Sequence, residues 1–158
     1  MKLAYLGLGS NLGDRQSNLA NACELLVSDR LTIKRVSSTW ETAPRDVLDQ
    51  PFFLNQVVEI ETDLFPRQLL TRAKQVEYEM GRVTTRAKGP RVIDIDVLLY
   101  ANAIVSTGDL KIPHPALHER RFVLEPLAEL VPDLRHPLIK QTVQQMLTKV
   151  AAQEVRKI

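Results

Sequence analysis

The order of strand and helix signals along the 158 residues predicts an α+β domain with an antiparallel sheet and a β-α-β-β-α-β core. Three observations carry this expectation. Four short runs rich in β-branched and apolar residues are separated by Gly- and Pro-punctuated turns. Two longer stretches space their apolar residues at helical intervals. No parallel crossover follows the glycines near the N-terminus.

Each element can be justified in turn. Lys2 to Gly9 reads as a first strand ending in glycines. SNLGD then forms a turn with Asp14 placed as an N-cap, and Leu19, Ala22, Cys23 and Leu26 follow at helical spacing. Leu31 to Trp40 is a second strand. ETAPRDVLDQP, residues 41 to 51, holds two prolines and no periodicity, which predicts a loop. Phe52 to Thr62 is a third strand. Pro66 suits the first residue of a second helix and Gly81 its stop. A basic loop over 82 to 90 leads to a fourth strand, Val92 to Tyr100. The sequence β-α-β-β-α-β is that of a ferredoxin-like core. A hairpin around Ile104 to Ile112 and helices near Phe122 to Leu130 and Thr142 to Ala152 are additions to it.

Composition limits the function classes. With 44% apolar and 25% charged residues the chain is ordinary for one soluble domain, expected to span 1–158. No apolar run approaches the ~18 residues of a membrane span, and MKLAYLGLGS lacks a leader's cleavage site, so a cytoplasmic location is expected. The single cysteine, Cys23, excludes an internal disulfide and a cysteine-based zinc site, and reads as core filling. A net charge of +2 is too small to argue for nucleic acid. Its distribution says more: Arg82, Arg86, Lys88 and Arg91 precede the fourth strand, and His114, His118, Arg120 and Arg121 form a second basic cluster.

Within GPRVIDIDVLLY, residues 89 to 100, two aspartates stand two positions apart on a strand. Alternation puts Arg91, Ile93, Ile95, Val97 and Leu99 on one face and Val92, Asp94, Asp96 and Leu98 on the other. Carboxylates spaced by about 6.6 Å along the backbone repel unless a cation lies between them, and hard oxygen ligands suit Mg²⁺. The alternative is an exposed face whose charges guard a sheet edge. Beside GPR and a basic loop the metal reading is preferred. Glu77 interrupts the apolar stripe of Leu69, Ala73, Val76 and Met80, which is costly without a partner; it either reaches solvent or faces the same cleft. The opening GLGSNLG is spaced G-x-G-x-x-x-G, not G-x-G-x-x-G, and is not a dinucleotide fingerprint, although the turn can still line a site. Phe53, Phe122 and Asn55 offer stacking faces and an amide to a flat heteroaromatic ligand, with core packing as the alternative for each phenylalanine. His114, fixed between Pro113 and Pro115, is poorly placed for core packing.

Taken together, these segments resemble the 6-hydroxymethyl-7,8-dihydropterin pyrophosphokinases of folate biosynthesis. The resemblance rests on GPRVIDIDVLLY, GLGSNLGDR at 7 to 15, SSTWETAP at 37 to 44, DQPFFLNQVV at 49 to 58, EYEMGR at 77 to 82 and IPHPALHERRFVLEPL at 112 to 127. It implies transfer of pyrophosphate from ATP to the pterin's hydroxymethyl oxygen with release of AMP. By the same resemblance, Asp94 and Asp96 hold two Mg²⁺ ions, and Arg82 and Arg91 neutralise phosphate charge. Glu77, Arg82, Arg91, His114 and Arg120 match ATP-site positions. Thr42, Ala43, Arg45, Phe53, Asn55 and Phe122 match the pterin pocket. A monomer is expected, with no nucleic-acid or membrane partner. Lys88 stands where many members have tryptophan, Thr84 where arginine is common, and Pro44-Arg45-Asp46 where a glycine often follows the proline. These departures bear on loop closure and pterin stacking and leave the acidic pair intact.

Three other readings compete. An RNA-binding sheet would show K/R-G-F/Y-G/A-F-V-x-F/Y, which is not found. A ligand-sensing domain leaves the arginines and two acids without a purpose. A metal-dependent nucleotidyl transferase also uses D-x-D, and differs in releasing inorganic pyrophosphate rather than AMP.

Overall fold

In the computed structural model, which describes residues 1–44, 49–81 and 90–158, every strand pairing is antiparallel. The main sheet is built on β1 (Lys2–Ser10) and β4 (Phe53–Thr62), two long strands paired over their length. β5 (Asp94–Tyr100) adds to the free side of β1. The far side of β4 carries two short strands end to end, β2 (Leu31–Val36) at its C-terminal half and β3 (Trp40–Thr42) at its N-terminal half. The expected single strand from Leu31 to Trp40 is therefore broken. Ser37 interrupts it: its N–H donates to Val57 O while its hydroxyl accepts from Val57 N–H, a local closure that turns the chain. The expected loop begins correspondingly later, after Thr42.

Two helices cover one face. α1 (Arg15–Leu26) starts where Asp14 accepts from Ser17 N–H at 3.1 Å, the expected cap. α2 (Pro66–Glu79) starts on proline and stops at Gly81, whose φ of 77° is the left-handed conformation that glycine tolerates. Leu19, Ala22 and Leu26 of α1 and Leu69, Ala73 and Val76 of α2 bury against Leu6, Leu8, Ile60 and Ile95 of the sheet. Burying each Leu or Ile side chain is worth roughly 1.5–3 kcal/mol. Cys23 packs at the margin of this core, as its place on the stripe implies.

The second face is covered by α3 (Arg121–Leu130) and α4 (Val143–Thr148), with Val123, Leu124, Leu127, Val143 and Met146 packed on Tyr5, Val57 and Leu99. α4 opens on a reciprocal cap in which Thr142 and Gln145 each bond the other's backbone N–H, and it is shorter than the apolar spacing suggested. A small hairpin, β6 (Val105–Ser106) and β7 (Lys111–Ile112), packs beside α2. β8 (Arg156–Lys157), which has no sequence signal, pairs with the outer side of β3.

β5 is not regular. Leu6 pairs with Val97 but Tyr5 pairs with Leu99, so Leu98 is an extra, bulged residue. Up to Val97 the faces alternate as expected. After the bulge Leu99 joins Leu98 in the second core, and Tyr100 takes the first. The expectation that Leu99 shares a face with Ile95 and Val97 is thus corrected.

Candidate active site

The two aspartates sit at the start of β5, on the face that carries α3. Across the sheet, Asp94 pairs with Gly9 and Gly9 with Asn55; Asp96 pairs with Gly7 and Gly7 with Val57. The two rows lie side by side, with glycine in the middle of each. A Cβ on Gly7 would touch the Leu98 methyls at 3.4 Å, and one on Gly9 would lie 3.6 Å from Asn55 Oδ1 and 3.7 Å from Phe53 Cδ1. The glycines therefore form a floor without side chains beneath the acids. GLG is a strand device here, and its signal was the match between two i, i+2 glycines and an i, i+2 aspartate pair.

Two cavities meet at this row. The first, about 300 Å³, is lined by Gly7, Gly9, Thr42, Ala43, Gln50, Phe53, Asn55, Arg91, Arg120 and Phe122 among others. The second, about 410 Å³, lies between α2 and the hairpin and is lined by Leu70, Lys74, Glu77, Lys111 and Pro115 among others. Asp94, Asp96 and His114 line both. Of the expected pterin-side residues, Thr42, Ala43, Phe53, Asn55 and Phe122 converge on the first cavity. Of the expected nucleotide-side residues, Glu77 and His114 reach the second, while Arg91 and Arg120 stand in the first beside the acids. Arg45 and Arg82 lie outside the described residues, as do Thr84, Arg86 and Lys88.

Charge is concentrated at the shared wall. Burial first, and the neighbouring Asp94 charge second, push the Asp96 carboxyl up to about 7 against the pull of Arg120 and Arg91. Arg91 precedes the strand rather than belonging to it, which lets its Nη1 reach Asp94 Oδ2 at 3.3 Å, on the face opposite to that expected from alternation. Each arginine also lies over a phenylalanine: Arg91 at 5.2 Å from the Phe53 ring centre and Arg120 at 5.6 Å from that of Phe122. His114 is held by the bulge, because its N–H donates to the Leu98 carbonyl at 2.9 Å. Its Nδ1 accepts from Ala116 N–H, which assigns the ring proton to Nε2, 4.0 Å from Asp96 Oδ2. Burial and Arg120 lower its pKa, so it is neutral at pH 7. Glu77 does not reach solvent. It is buried, and its Oε2 accepts from Ile95 N–H at 2.8 Å on the outer edge of β5, between the two aspartates.

Asn55 donates from Nδ2 to Trp40 O at 3.1 Å, so its amide orientation is fixed by β3. Asn11 was not singled out by sequence reasoning, although its side chain ties together Arg91 and Gln50, which both line the first cavity. It is buried, its Oδ1 accepts from Arg91 N–H at 2.9 Å, and its Nδ2 donates to Gln50 Oε1 at 2.7 Å and Pro51 O at 3.0 Å.

The family model for 7,8-dihydro-6-hydroxymethylpterin-pyrophosphokinase (HPPK) matches residues 5–132. The chain belongs to the HPPK family. It is similar to the 2-amino-4-hydroxy-6-hydroxymethyldihydropteridine pyrophosphokinase of Methylorubrum extorquens, at 43% identity over all of this chain and 99% of that protein. The Bacillus subtilis protein of the same name is 46% identical over 81% of this chain and 77% of its own length. The folic acid synthesis protein fol1 of Schizosaccharomyces pombe is 44% identical over 98% of this chain, which spans about a fifth of that protein (21%). In three dimensions the HPPK-DHPS of Plasmodium falciparum with pteroate superposes with a TM-score of 0.77 at 17% identity, over 96% of this chain and 42% of that one, a likeness of fold. The ferredoxin-like α+β expectation agrees with this HPPK architecture. No helix among the described residues is long and apolar enough to cross a membrane.

Proposed function

We propose that this chain transfers the pyrophosphoryl group of ATP to the hydroxymethyl oxygen of 6-hydroxymethyl-7,8-dihydropterin, giving AMP and the pterin diphosphate, with residues 1–158 acting as one domain. The observation that carries this reading is the position of Asp94 and Asp96 on the wall shared by two cavities. A group passing from one ligand to another must cross such a wall. The first cavity suits a flat heteroaromatic ring, with Phe53 and Phe122 for stacking and Asn55, pre-oriented by Trp40, for amide hydrogen bonds. The second takes the nucleotide, where Lys74 and Lys111 add positive charge and Glu77 and His114 close the acidic end.

The donor set fits a hard divalent cation. Two carboxylates share one face, and the proton affinity of Asp96 reflects burial first and the Asp94 charge second, both of which a bound cation would offset. Mg²⁺ needs only one or two protein carboxylates and completes its shell with phosphate and water. Asp94 and Asp96 would hold two Mg²⁺ ions, which when bound neutralise phosphate charge and make the hydroxymethyl O–H more acidic. Arg91 and Arg120 face the same point from the pterin side and stabilise negative charge as the bridging oxygen leaves. Neutral His114 presents its Nε2–H beside Asp96 as a hydrogen-bond donor to a phosphate oxygen.

The test is a product assay with ATP, Mg²⁺ and 6-hydroxymethyl-7,8-dihydropterin. AMP should form only when all three are present. No AMP under those conditions sinks the assignment, and release of inorganic pyrophosphate with a nucleotidylated acceptor would favour the nucleotidyl transferase instead.

A further inference from the structure

β3 has three residues, yet it walls the first cavity: Thr42 lines it, and Ala43 follows directly. Such a strand, paired on one side only, would be a weakly fixed edge. Trp40 Nε1–H donates to Glu129 Oε1 of α3 at 2.6 Å, and the strand's open edge is held by an element that lies outside the family match, which ends at residue 132. β8 pairs Trp40 with Lys157 and Glu41 with Arg156, and Ile158 N–H donates to Thr39 O at 3.0 Å. Side chains reinforce both faces. On the cavity side Lys157 Nζ lies 5.9 Å from the Trp40 ring centre. On the other side Glu41 has both carboxylate oxygens occupied, Oε2 by Arg15 at 2.8 Å and Oε1 by Arg156 at 2.5 Å. Arg15 also donates to Phe52 O at 3.0 Å, so the same cluster reaches the start of β4, where Phe53 enters the cavity. The tail itself is tied down upstream, because Arg121 donates to Gln153 O and Gln153 donates to Glu119 O, both at 2.7 Å.

We infer that β8 is a positioning element for the first cavity's ligand, acting through Arg156 on Glu41, so that the C-terminal strand sets the pterin affinity of a site it does not touch. This rests on the assignment of that cavity to the pterin. The second cavity shares no residue with β3, β8 or Glu41. A change in β8 should therefore separate the two substrates, which a general loss of stability would not do.

The experiment compares the full chain with Arg156→Ala, with Arg156→Lys, and with a chain lacking Val155–Ile158. Dihydropterin affinity is measured by titration, and KM for ATP and kcat at saturating pterin by AMP release. Arg156→Ala should weaken pterin binding by about two- to five-fold, the scale of an ion pair with one exposed partner. The shortened chain should lose more, Arg156→Lys should recover most of the affinity, and KM for ATP and kcat should stay as in the full chain. Equal pterin affinity in the full and shortened chains overturns the inference, as does a parallel loss of ATP and pterin affinity. If the full chain itself neither binds the pterin nor forms AMP, the assignment of the cavity falls, and the inference with it.

Discussion

Asp96 is a carboxylate whose surroundings oppose its charge: burial and Asp94 act against it, and Arg120 and Arg91 only partly compensate. A cation bound between the two acids, as proposed, would offset that cost. Asp96→Asn should lower kcat by about 10²–10³-fold, the scale of lost electrostatic stabilisation at a reacting centre. The free variant should melt no lower than the parent, because a charge repelled by Asp94 has been removed; normal turnover would remove the acidic pair from the mechanism. Asn11 presents the opposite case, a neutral side chain with every polar group paired. Asn11→Ala removes the acceptor of the Arg91 N–H and should cost about 1–3 kcal/mol of stability. Because Arg91 is displaced with it, kcat/KM should fall further than the melting shift implies, as steady-state kinetics at a temperature well below the transition would reveal. The acids were legible in the sequence because a D-x-D on a strand violates the apolar pattern around it. Asn11 was not, because a buried asparagine at a strand end looks like any turn residue.

Among the elements, the outer end of the sheet is held by a polar cluster rather than by packing alone. Tyr5 on β1 donates to Glu59 Oε2 on β4 at 2.7 Å, and Arg35 on β2 donates to both Glu59 oxygens at 3.0 and 2.9 Å. The Arg35 guanidinium holds the Glu59 carboxyl below its ordinary range. A depressed folded pKa contributes stability above the unfolded value of roughly 4.3 and loses it as pH falls through the folded value. Glu59→Gln should thus be destabilising at pH 7, with the gap to the parent narrowing below about pH 4; a gap independent of pH in thermal melts would contradict the cluster's role. The long strands and both major helices were readable from periodicity, with Asp14, Pro66 and Gly81 marking their ends. The break at Ser37 and the addition of β8 were not, since each depends on pairing with a distant partner and leaves no local pattern.

At the level of the whole molecule, one sheet divides the labour. Its first face is packed by α1 and α2. Its second is packed by α3 and α4 toward one end and left open over the glycine floor toward the other. The two cavities approach the acids from different walls, so their ligands should be separable by substitution. Lys74→Ala should raise KM for ATP by about three- to ten-fold and leave pterin affinity unchanged, while Phe122→Ala should do the reverse. Paired KM measurements check this, and a shift of both constants in either variant would mean that the cavities do not partition the substrates. The acidic pair of the shared wall was visible in residue type and spacing, and its role was expected through the family resemblance. Its division into two chambers could not, because Thr42, Gly9 and His114 are far apart along the chain and meet only through the sheet register.

The bulge at Leu98 has a consequence for anyone wishing to move this site. The seven residues DIDVLLY look like a portable cassette, a regular strand with two acids at its head. They are not. A regular host strand would accept the aspartates in phase and then turn Leu99 to the wrong side. It would also bind the Leu98 carbonyl into its own ladder, leaving no acceptor for the His114 N–H. A working transplant has to carry the extra residue, the matching slip on the neighbouring strand and the proline-flanked segment that docks there. The smallest unit that can be grafted is a strand pair with its irregularity.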